Sequence, residues 1–546
     1  MLNLFKFNGG VKPATQKDQS SSAAIRSAPL PSRLAVPLHQ SIGGTPEPIV
    51  QVGDKVLKGQ KIGEGEGWIS SAVHASTSGT VRAIEMVPQP HASGLTALSV
   101  MIEPDGEDRW VDHGPLPVAS MSPDEIRAAL REAGVVGLGG AVFPTHGKTA
   151  ASRSVPMDEL VINGAECEPF ITCDDRLMRE RADDVLRGIG VLRDLLQPKR
   201  VLIGVEDNKP EAAAALTESA RRLGENFQVI TIPTRYPAGG AKQLIRVLTG
   251  KEVPSNKRST ELGVQCFNVA TAYTAWRAMG HGEPVISRLV TLTGHVENAG
   301  NWDVLIGAPI DETLTLAGLK SGHDGIVMGG PMMGFKLPEV AAPVVKATNC
   351  LIASSPALFP PKAPEMPCIR CGECAKACPQ DLQPFEMYWW SRAQNFGKAQ
   401  EYALFDCIEC GCCSFVCPSR IPLVQYYRFA KSEIWSRERD KKAAEGAKER
   451  FEFKTFREER EKQEKAERLA KAAAAQKAKA EAAATSATVS PEVADAEAQK
   501  KALIAAAMER AKAQKATADA NSRETADTAA PLAEAAAPTA PEPKTE

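Results

Sequence analysis

From about residue 34 to 113 the chain alternates apolar and polar positions in short runs. Turn residues break the runs at Gly43-Gly44, Val52-Gly53-Asp54, Lys58-Gly59-Gln60 and Ser78-Gly79-Thr80. Period-two alternation between turn signals predicts short β-strands. The pattern changes at Ser122-Pro123-Asp124-Glu125, which supplies an N-cap, a first-turn proline and a capping-box acid, and Gly134 can close the helix that follows. From there to about 255 helix-like and strand-like stretches alternate (ELVINGAE, ADDVLRGIGVLRDLL, KRVLIGVED, KPEAAAALTESARRL, FQVITIP). That alternation predicts an α/β domain with a largely parallel sheet. Residues 286–320 return to short strands with a turn at Glu297–Gly300, which fits a small β-grasp-like unit.

Residues 1–33 are polar with scattered Gly, Pro and Ser, and read as a leading arm. The pieces VGDKVLKGQKIGEG and VHASTSGTVRAIE resemble the two halves of a biotinyl/lipoyl-type hammerhead. A carrier needs a Lys at the hairpin tip, and Glu64 to Val73 contains none, so the module reads as structural. At the other end there is no aromatic residue after Phe456, and Ala fills 32 of the last 90 positions. With no large apolar stripe to bury, 437–515 reads as exposed and partly helical, either partner-binding or merely solvated, and 516–546 as disordered.

The balance of 65 Lys+Arg against 67 Asp+Glu excludes a bulk electrostatic grip on nucleic acid. Mean hydropathy is −0.22, and no apolar run approaches the ~18 residues of a spanning helix. The start, MLNLFKFNGGVK, lacks the apolar core and cleavage site of a secretory signal. Thirteen cysteines without an export signal point to metal or redox use in a reducing cytosol rather than to disulfides.

Those cysteines are patterned. Cys368-Ile-Arg-Cys371-Gly-Glu-Cys374-Ala-Lys-Ala-Cys378-Pro379 is repeated as Cys407-Ile-Glu-Cys410-Gly-Cys-Cys413-Ser-Phe-Val-Cys417-Pro418. Each is C-x2-C-x2-C-x3-C-P, the bacterial ferredoxin run for a [4Fe–4S] cluster. Three thiolates at x2 intervals wrap one cubane, and the fourth reaches the other when two motifs pair. The expected sets are Cys368, Cys371, Cys374 and Cys417 on one cluster, and Cys407, Cys410, Cys413 and Cys378 on the second. Paired four-cysteine zinc sites are the alternative, but they usually show two Cys pairs with a longer spacer. Cys412, Cys167 and Cys173 read as non-ligand thiols, and His74, His281, His295 and His323 show no metal spacing. The stretch between Cys378 and Cys407 is helix-compatible, so a helical di-cluster domain is expected.

A glycine cluster follows the capped helix: Gly137-Leu-Gly139-Gly140-Ala141-Val-Phe143-Pro144-Thr145-His146-Gly147-Lys148. Clustered glycines admit a phosphate or flat ring, and Lys148 could meet a phosphate; a tight structural turn is the plainer reading. Asn163-Gly-Ala-Glu166-Cys-Glu168-Pro169 and Gln265-Cys-Phe-Asn268-Val-Ala-Thr271 come later.

These three pieces resemble the flavin and NADH-binding subunit of respiratory complex I, whose motifs read GRGGAGFPTG, NADEGEP and NNVET. With the hammerhead in front and paired ferredoxin motifs behind, residues 1–435 resemble the C subunit of the Rnf (Rsx) ion-translocating oxidoreductase complex. The resemblance implies a multidomain α/β plus β fold: an N-terminal arm (1–33), a hammerhead-like β-domain (34–115) and a complex I flavoprotein-like FMN/NADH-binding α/β domain (116–285). A β-grasp (SLBB-like) unit (286–330), a connector (331–363), a 2×[4Fe–4S] ferredoxin-type domain (364–436) and an Ala/Lys/Glu-rich low-complexity tail (437–546) complete it. It places Gly137, Gly139, Gly140, Phe143, Lys148, Asn163, Glu166, Glu168 and Asn268 around FMN and NADH, with the two glutamates orienting ribose or nicotinamide. The bland alternative leaves them as solvent-facing loop acids. Departures from the family pattern are Leu138, Val142, His146, Ala165 and the stretch Gly240-Ala-Lys-Gln-Leu-Ile, which lacks the two Glu of GEETAL.

The implied function is a translocase subunit that passes electrons between NADH and a ferredoxin-like carrier through FMN and two [4Fe–4S] clusters. Membrane partners of an Rnf-type complex would couple this to ion movement, with the chain peripheral on the cytoplasmic side of the bacterial inner membrane. NADH delivers a hydride and a cubane takes one electron, so a flavin is the expected converter between them. Two rivals are a non-enzymatic wiring subunit without its own NADH site and a soluble flavin-dependent reductase.

Overall fold

The computed structural model describes residues 4–150, 155–361, 363–485 and 498–513. The expected disordered stretch 516–546 lies outside them.

The N-terminal β-module consists of two antiparallel sheets. One orders Leu34–Pro37, Thr96–Pro104, Gly79–Pro88 and Lys55–Val56; the other orders Glu47–Pro48, Lys61–Glu64 and Val73–His74. Leu34, Val36, Ile62, Val73, Val81, Val100 and Ile102 share its core. The helix Pro123–Glu132 begins at the expected capping box: the Glu125 amide donates to Ser122 Oγ at 3.3 Å and the Ser122 amide to Glu125 Oε2 at 2.7 Å. Its buried Ile126 and Leu130 fall on one face, four residues apart.

The α/β domain is built on a fully parallel four-stranded sheet, in the order Gln228–Ile232, Arg200–Glu206, Glu159–Gly164 and Val264–Asn268. The first three strands are joined through helices Ala182–Leu196 and Pro210–Leu223, and Val269–Trp276 follows the last. Gly188 lets two of these helices touch: a Cβ there would lie 1.8 Å from the Ala272 carbonyl oxygen.

The β-grasp region is larger than the sequence suggests. Its six-stranded sheet orders Arg26–Ser27, Gly300–Leu305, Ser287–Gly294, Cys350–Ser354, Gly325–Met328 and Phe335–Lys336. The strand Cys350–Ser354, wholly buried, lies in the stretch read as a connector and sits between two β-grasp strands. The leading arm is likewise embedded: it supplies the edge strand Arg26–Ser27, bridges Val11 to Tyr236, and buries Lys17.

The cysteine-rich region is helical, with Glu373–Lys376, Pro384–Arg392, Phe396–Glu401, Cys412–Phe415 and the start of Leu423–Thr485 around Leu382, Met387, Tyr388, Leu404, Ile421 and Tyr427. Residues 439–485 and 498–513 are helical with exposed side chains, apart from a half-buried Gly446. Pairs such as Lys441–Glu445 and Arg460–Glu464 run along the helix at i, i+4. No helix among the described residues is long and apolar enough to cross a membrane.

Candidate functional site

Two asparagines mark the carboxyl edge of the parallel sheet, where open α/β folds bind ligands. Asn163 and Asn268 are register partners at the ends of adjacent strands. Asn268 Oδ1 accepts from the Ala270 amide at 2.8 Å, capping the helix that follows, and its Nδ2 donates to Asp174 Oδ2 at 2.6 Å. Asn163 Oδ1 accepts from the Ala165 amide and its Nδ2 donates to the Gly239 carbonyl.

The glycine loop rises beside them. The Gly137 amide donates to the Phe143 carbonyl at 2.8 Å, and the Val142 amide returns to the Gly137 carbonyl at 3.1 Å. Its inner edge is fixed: the Leu138 amide donates to Thr271 Oγ1, and the Leu138 carbonyl accepts from Arg288. Its outer edge, Gly139 to Ala141, is exposed, and Phe143 is half-buried. A Cβ on Gly139 would sit 3.2 Å from Asn268 Cβ, while Gly140, at φ +114°, has open space around it. Glycine thus serves packing below and access above.

Three predicted residues make inward contacts instead. Lys148 donates to the Cys266 carbonyl and lies 4.6 Å from the Phe267 ring centroid, and burial lowers its pKa. Glu166 is buried rather than solvent-facing; it accepts from the Asp174 amide at 2.8 Å and the Asp175 amide at 3.4 Å, at the first turn of helix Cys173–Glu180. Burial raises its pKa, opposed by Lys17, whose Nζ lies 3.8 Å away. Glu168, half-buried, accepts from the Met332 and Met333 amides at 2.7 and 3.1 Å and reaches the loop after the strand Gly325–Met328.

Several neighbours carry little signal in the sequence. Lys17 donates to the carbonyls of Glu168 and Ile171, from an arm some 150 residues upstream. Lys209 donates to Glu206 Oε2 at 2.6 Å and to the Glu166 carbonyl at 3.3 Å. Burial works against its charge, yet Glu206 and Glu166 raise its pKa. Asp174 Oδ1 is buried without a hydrogen-bond partner among the described residues. The run Thr172-Cys-Asp-Asp-Arg could have marked this acid as a helix start. An open glycine edge and an orphaned carboxylate oxygen beside the sheet-edge asparagines give space for a flat ring and an acceptor for its N–H or hydroxyl groups, which fits a flavin nucleotide.

The cysteine motifs form a pseudo-symmetric pair. Gly372 and Gly411 hold left-handed φ values of +77° and +82° and open the matching turns Glu373–Lys376 and Cys412–Phe415. One cavity is lined by Cys368, Cys371, Cys374 and Cys417; a second by Cys378, Cys407, Cys410 and Cys413. Each therefore gathers three thiols from one motif and the last from the other, within walls that include Tyr388 and Leu423, or Met387, Val424 and Tyr427. Four convergent thiols apiece suit a cubane. Cys412 is buried and also lines the second cavity. Cys167 lies outside both, its pKa pushed up to about 12 by burial, and buried Cys173 lies beside Glu166.

The α/β domain and the arm converge on the second thiol set. Tyr236 donates its hydroxyl to the Cys410 carbonyl at 2.6 Å, Gln243 donates to the Pro379 carbonyl at 3.3 Å, and the Gly10 amide donates to the Ala377 carbonyl at 2.9 Å.

Four family descriptions match the chain: an RnfC barrel sandwich hybrid domain over residues 5–107, a Nuo51 FMN-binding domain over 130–277, an SLBB domain over 289–336 and a 4Fe-4S dicluster domain over 362–445. The C subunit of the ion-translocating oxidoreductase complex of Pectobacterium carotovorum subsp. carotovorum (strain PC1) is 48% identical over 457 residues, covering 83% of this chain and 61% of that protein. The protein of the same description from Haemophilus influenzae (strain PittEE) is 45% identical over 458 residues, covering 83% and 70%. Relative to the first of these, and to the Pasteurella multocida (strain Pm70) protein of which 54% is covered, the chain spans less than two thirds of its relatives' length. Among solved structures, an NAD+-reducing [NiFe]-hydrogenase in the H2-reduced state aligns with 59% of this chain and 62% of its own, at 18% identity and a TM-score of 0.42.

Proposed function

The chain belongs to the family of C subunits of ion-translocating oxidoreductase complexes, and from that premise we propose that it is the peripheral electron-input subunit of such a complex. In this reading NADH and a ferredoxin-like carrier are the two redox ends, and membrane partners couple the electron flow to ion movement. The chain sits on the cytoplasmic face of the bacterial inner membrane. It carries an FMN-binding domain and a 4Fe-4S dicluster domain. The activity, substrates and partners are what is proposed.

FMN, when bound, would take a hydride's electron pair from NADH and release the electrons singly. The residues around it have separate tasks. Gly139 and Gly140 leave the loop edge open to a flat ring; Asn163 and Asn268 shape the sheet edge beneath it, and Asn268 holds Asp174 beside them. Cys378, Cys407, Cys410 and Cys413 would hold one cubane, and Cys368, Cys371, Cys374 and Cys417 the other. The observation that carries the reading is the Tyr236–Cys410 hydrogen bond, which ties the flavin-type domain to the backbone of a cluster-binding loop at 2.6 Å.

The deciding experiment is anaerobic titration of the purified, reconstituted chain with NADH, followed by visible absorbance and EPR. Bleaching of the flavin band together with reduced-cluster signals supports a complete path. Clusters that respond to dithionite but not to NADH, with FMN bound, would sink it.

A second reading, a wiring subunit without its own NADH site, has its own support. Lys148, Glu166 and Glu168 are all engaged by groups of this chain, and Ala165 stands where the complex I motif has Asp.

A further inference from the structure

The two cysteine motifs superpose residue for residue in sequence, and at two matched positions their charge is reversed. Arg370, between Cys368 and Cys371, matches Glu409, between Cys407 and Cys410. Arg420, three residues past Cys417, matches Asp381, three past Cys378. All four adopt the left-handed backbone, with φ of +55°, +56°, +55° and +52° in that order. The pseudo-symmetry therefore holds at the backbone and is broken only by the side chains.

The surroundings sharpen the contrast. Arg370 and Arg420 are exposed and make no ion pair among the described residues; Arg370 lines the first cavity. The carboxylates on that side are engaged: Glu365 accepts from Tyr388 and Tyr426, and Glu373, between Cys371 and Cys374, pairs with Lys376 at 2.7 Å. On the second side Glu409 is balanced by Arg428 at 3.0 Å and Lys431 at 2.8 Å. Asp381 accepts a neutral hydrogen bond from Asn8, and Glu168 reaches the Met332 amide beside Gly411. Solvent differs too. In the second set Cys378, Cys410 and Cys413 are buried, whereas in the first Cys371 is exposed and Cys368 and Cys417 are half-buried.

Reducing a four-thiolate cubane adds one negative charge to an anionic site. Nearby cations and water stabilise that form; anions and burial oppose it. Lys431, which donates to the Cys407 carbonyl at 2.7 Å, favours reduction at the second site. It and Arg428 are offset there by Glu409, Asp381 and Glu168, so the charge reversal and the solvent difference together favour the first. We infer that Arg370 and Arg420 set the Cys368/Cys371/Cys374/Cys417 site at the higher reduction potential, so that electrons entering at the flavin-facing Cys378/Cys407/Cys410/Cys413 site run downhill to the solvent-facing one. The step moves one electron and no proton: the site holding Cys378 is oxidised by one as the site holding Cys371 is reduced by one. This rests on the two-cluster reading above and adds an order and a cause to it.

The test is an EPR-monitored potentiometric titration of the full chain with both cubanes loaded. Wild type should give two one-electron steps, the less negative one lost in Cys371→Ala and the more negative one lost in Cys410→Ala. Arg370→Glu with Arg420→Asp should move the less negative step to more negative potential, shifting the electron partition between the sites at least tenfold toward the Cys378 site. Arg370→Lys with Arg420→Lys should hold it near wild type, and added salt should shrink the reversal effect, since both arginines are exposed. Assignment of the steps in the opposite order, or steps unmoved by charge reversal at full iron content, would overturn the inference. A wild-type chain that cannot hold two cubanes would overturn the underlying reading instead, and iron and acid-labile sulfide analysis separates that case.

Discussion

The Tyr236 hydroxyl donates to the Cys410 carbonyl oxygen at 2.6 Å, across 174 residues of sequence, with both residues buried. Burial, with Glu168 and Cys410 nearby, raises the phenol's pKa far above the usual range, so it remains a donor throughout physiological pH. Tyr236→Phe leaves that carbonyl unpaired and should cost about 1–3 kcal/mol in denaturant unfolding. Both clusters should still load. The EPR signal lost in Cys410→Ala should broaden or shift, while the other is unchanged; equal change in both would refute a local role.

Crossed ligation makes a combinatorial prediction. Cys417 sits in the second motif yet lines the first cavity with Cys371. Cys371→Ala with Cys417→Ala should therefore lose only one cubane, about four irons of eight, whereas Cys417→Ala with Cys410→Ala should lose both. Iron and sulfide analysis reads this directly, and the reverse pattern would establish uncrossed motifs.

Lys17 lies among carbonyls, 3.8 Å from Glu166; burial lowers its pKa and Glu166 opposes that. Lys17→Met leaves Glu166 without that neighbour and removes the donor to two backbone carbonyls. Loss of about 3 kcal/mol is expected, measured by urea unfolding. An unchanged midpoint would mean that the arm contributes nothing there.

His74 gives a signed pH dependence. Burial, then Lys346 and Lys61, hold its pKa down to about 3, from 6.5. The unfolded chain therefore binds the proton first as pH falls. Its contribution is fully present above 6.5 and is lost between about 6.5 and 3, at about 1.4 kcal/mol per pH unit. His74→Gln should flatten the stability profile by that slope; parallel profiles for the two proteins would rule out the histidine as the source.

Local spacing made part of this molecule legible. The cysteine motifs are read from the chain because ligand spacing is a short-range property, and the capping box at Ser122 is equally local. The alternation that predicted a parallel sheet reports burial one element at a time, and the sheet has the expected sense. What escaped depends on distant partners. Cys350–Ser354 reads as five small or apolar residues with no period, which suits a strand buried on both faces but does not announce one. Lys17 looks like any lysine in a polar arm until Glu166 and the carbonyls of Glu168 and Ile171 close around it. For Lys148, Glu166 and Glu168 the sequence identified the chemistry and not the direction in which each side chain turns.

The leading arm gives the chain a late-closing seam. Asn8 donates to Asp381 at 2.8 Å across 373 positions, and Gly10 bonds to Ala377 next to Cys378. The partners of these contacts lie nearly four hundred positions apart, and contacts of such span form slowly because a long loop must close. The same closure brings the arm against the Cys378 turn, where a Cβ on Gly9 would lie 2.4 Å from the Cys378 carbonyl oxygen. The arm and the inner thiol set thus share one surface, so that a change on either side of it is felt on the other.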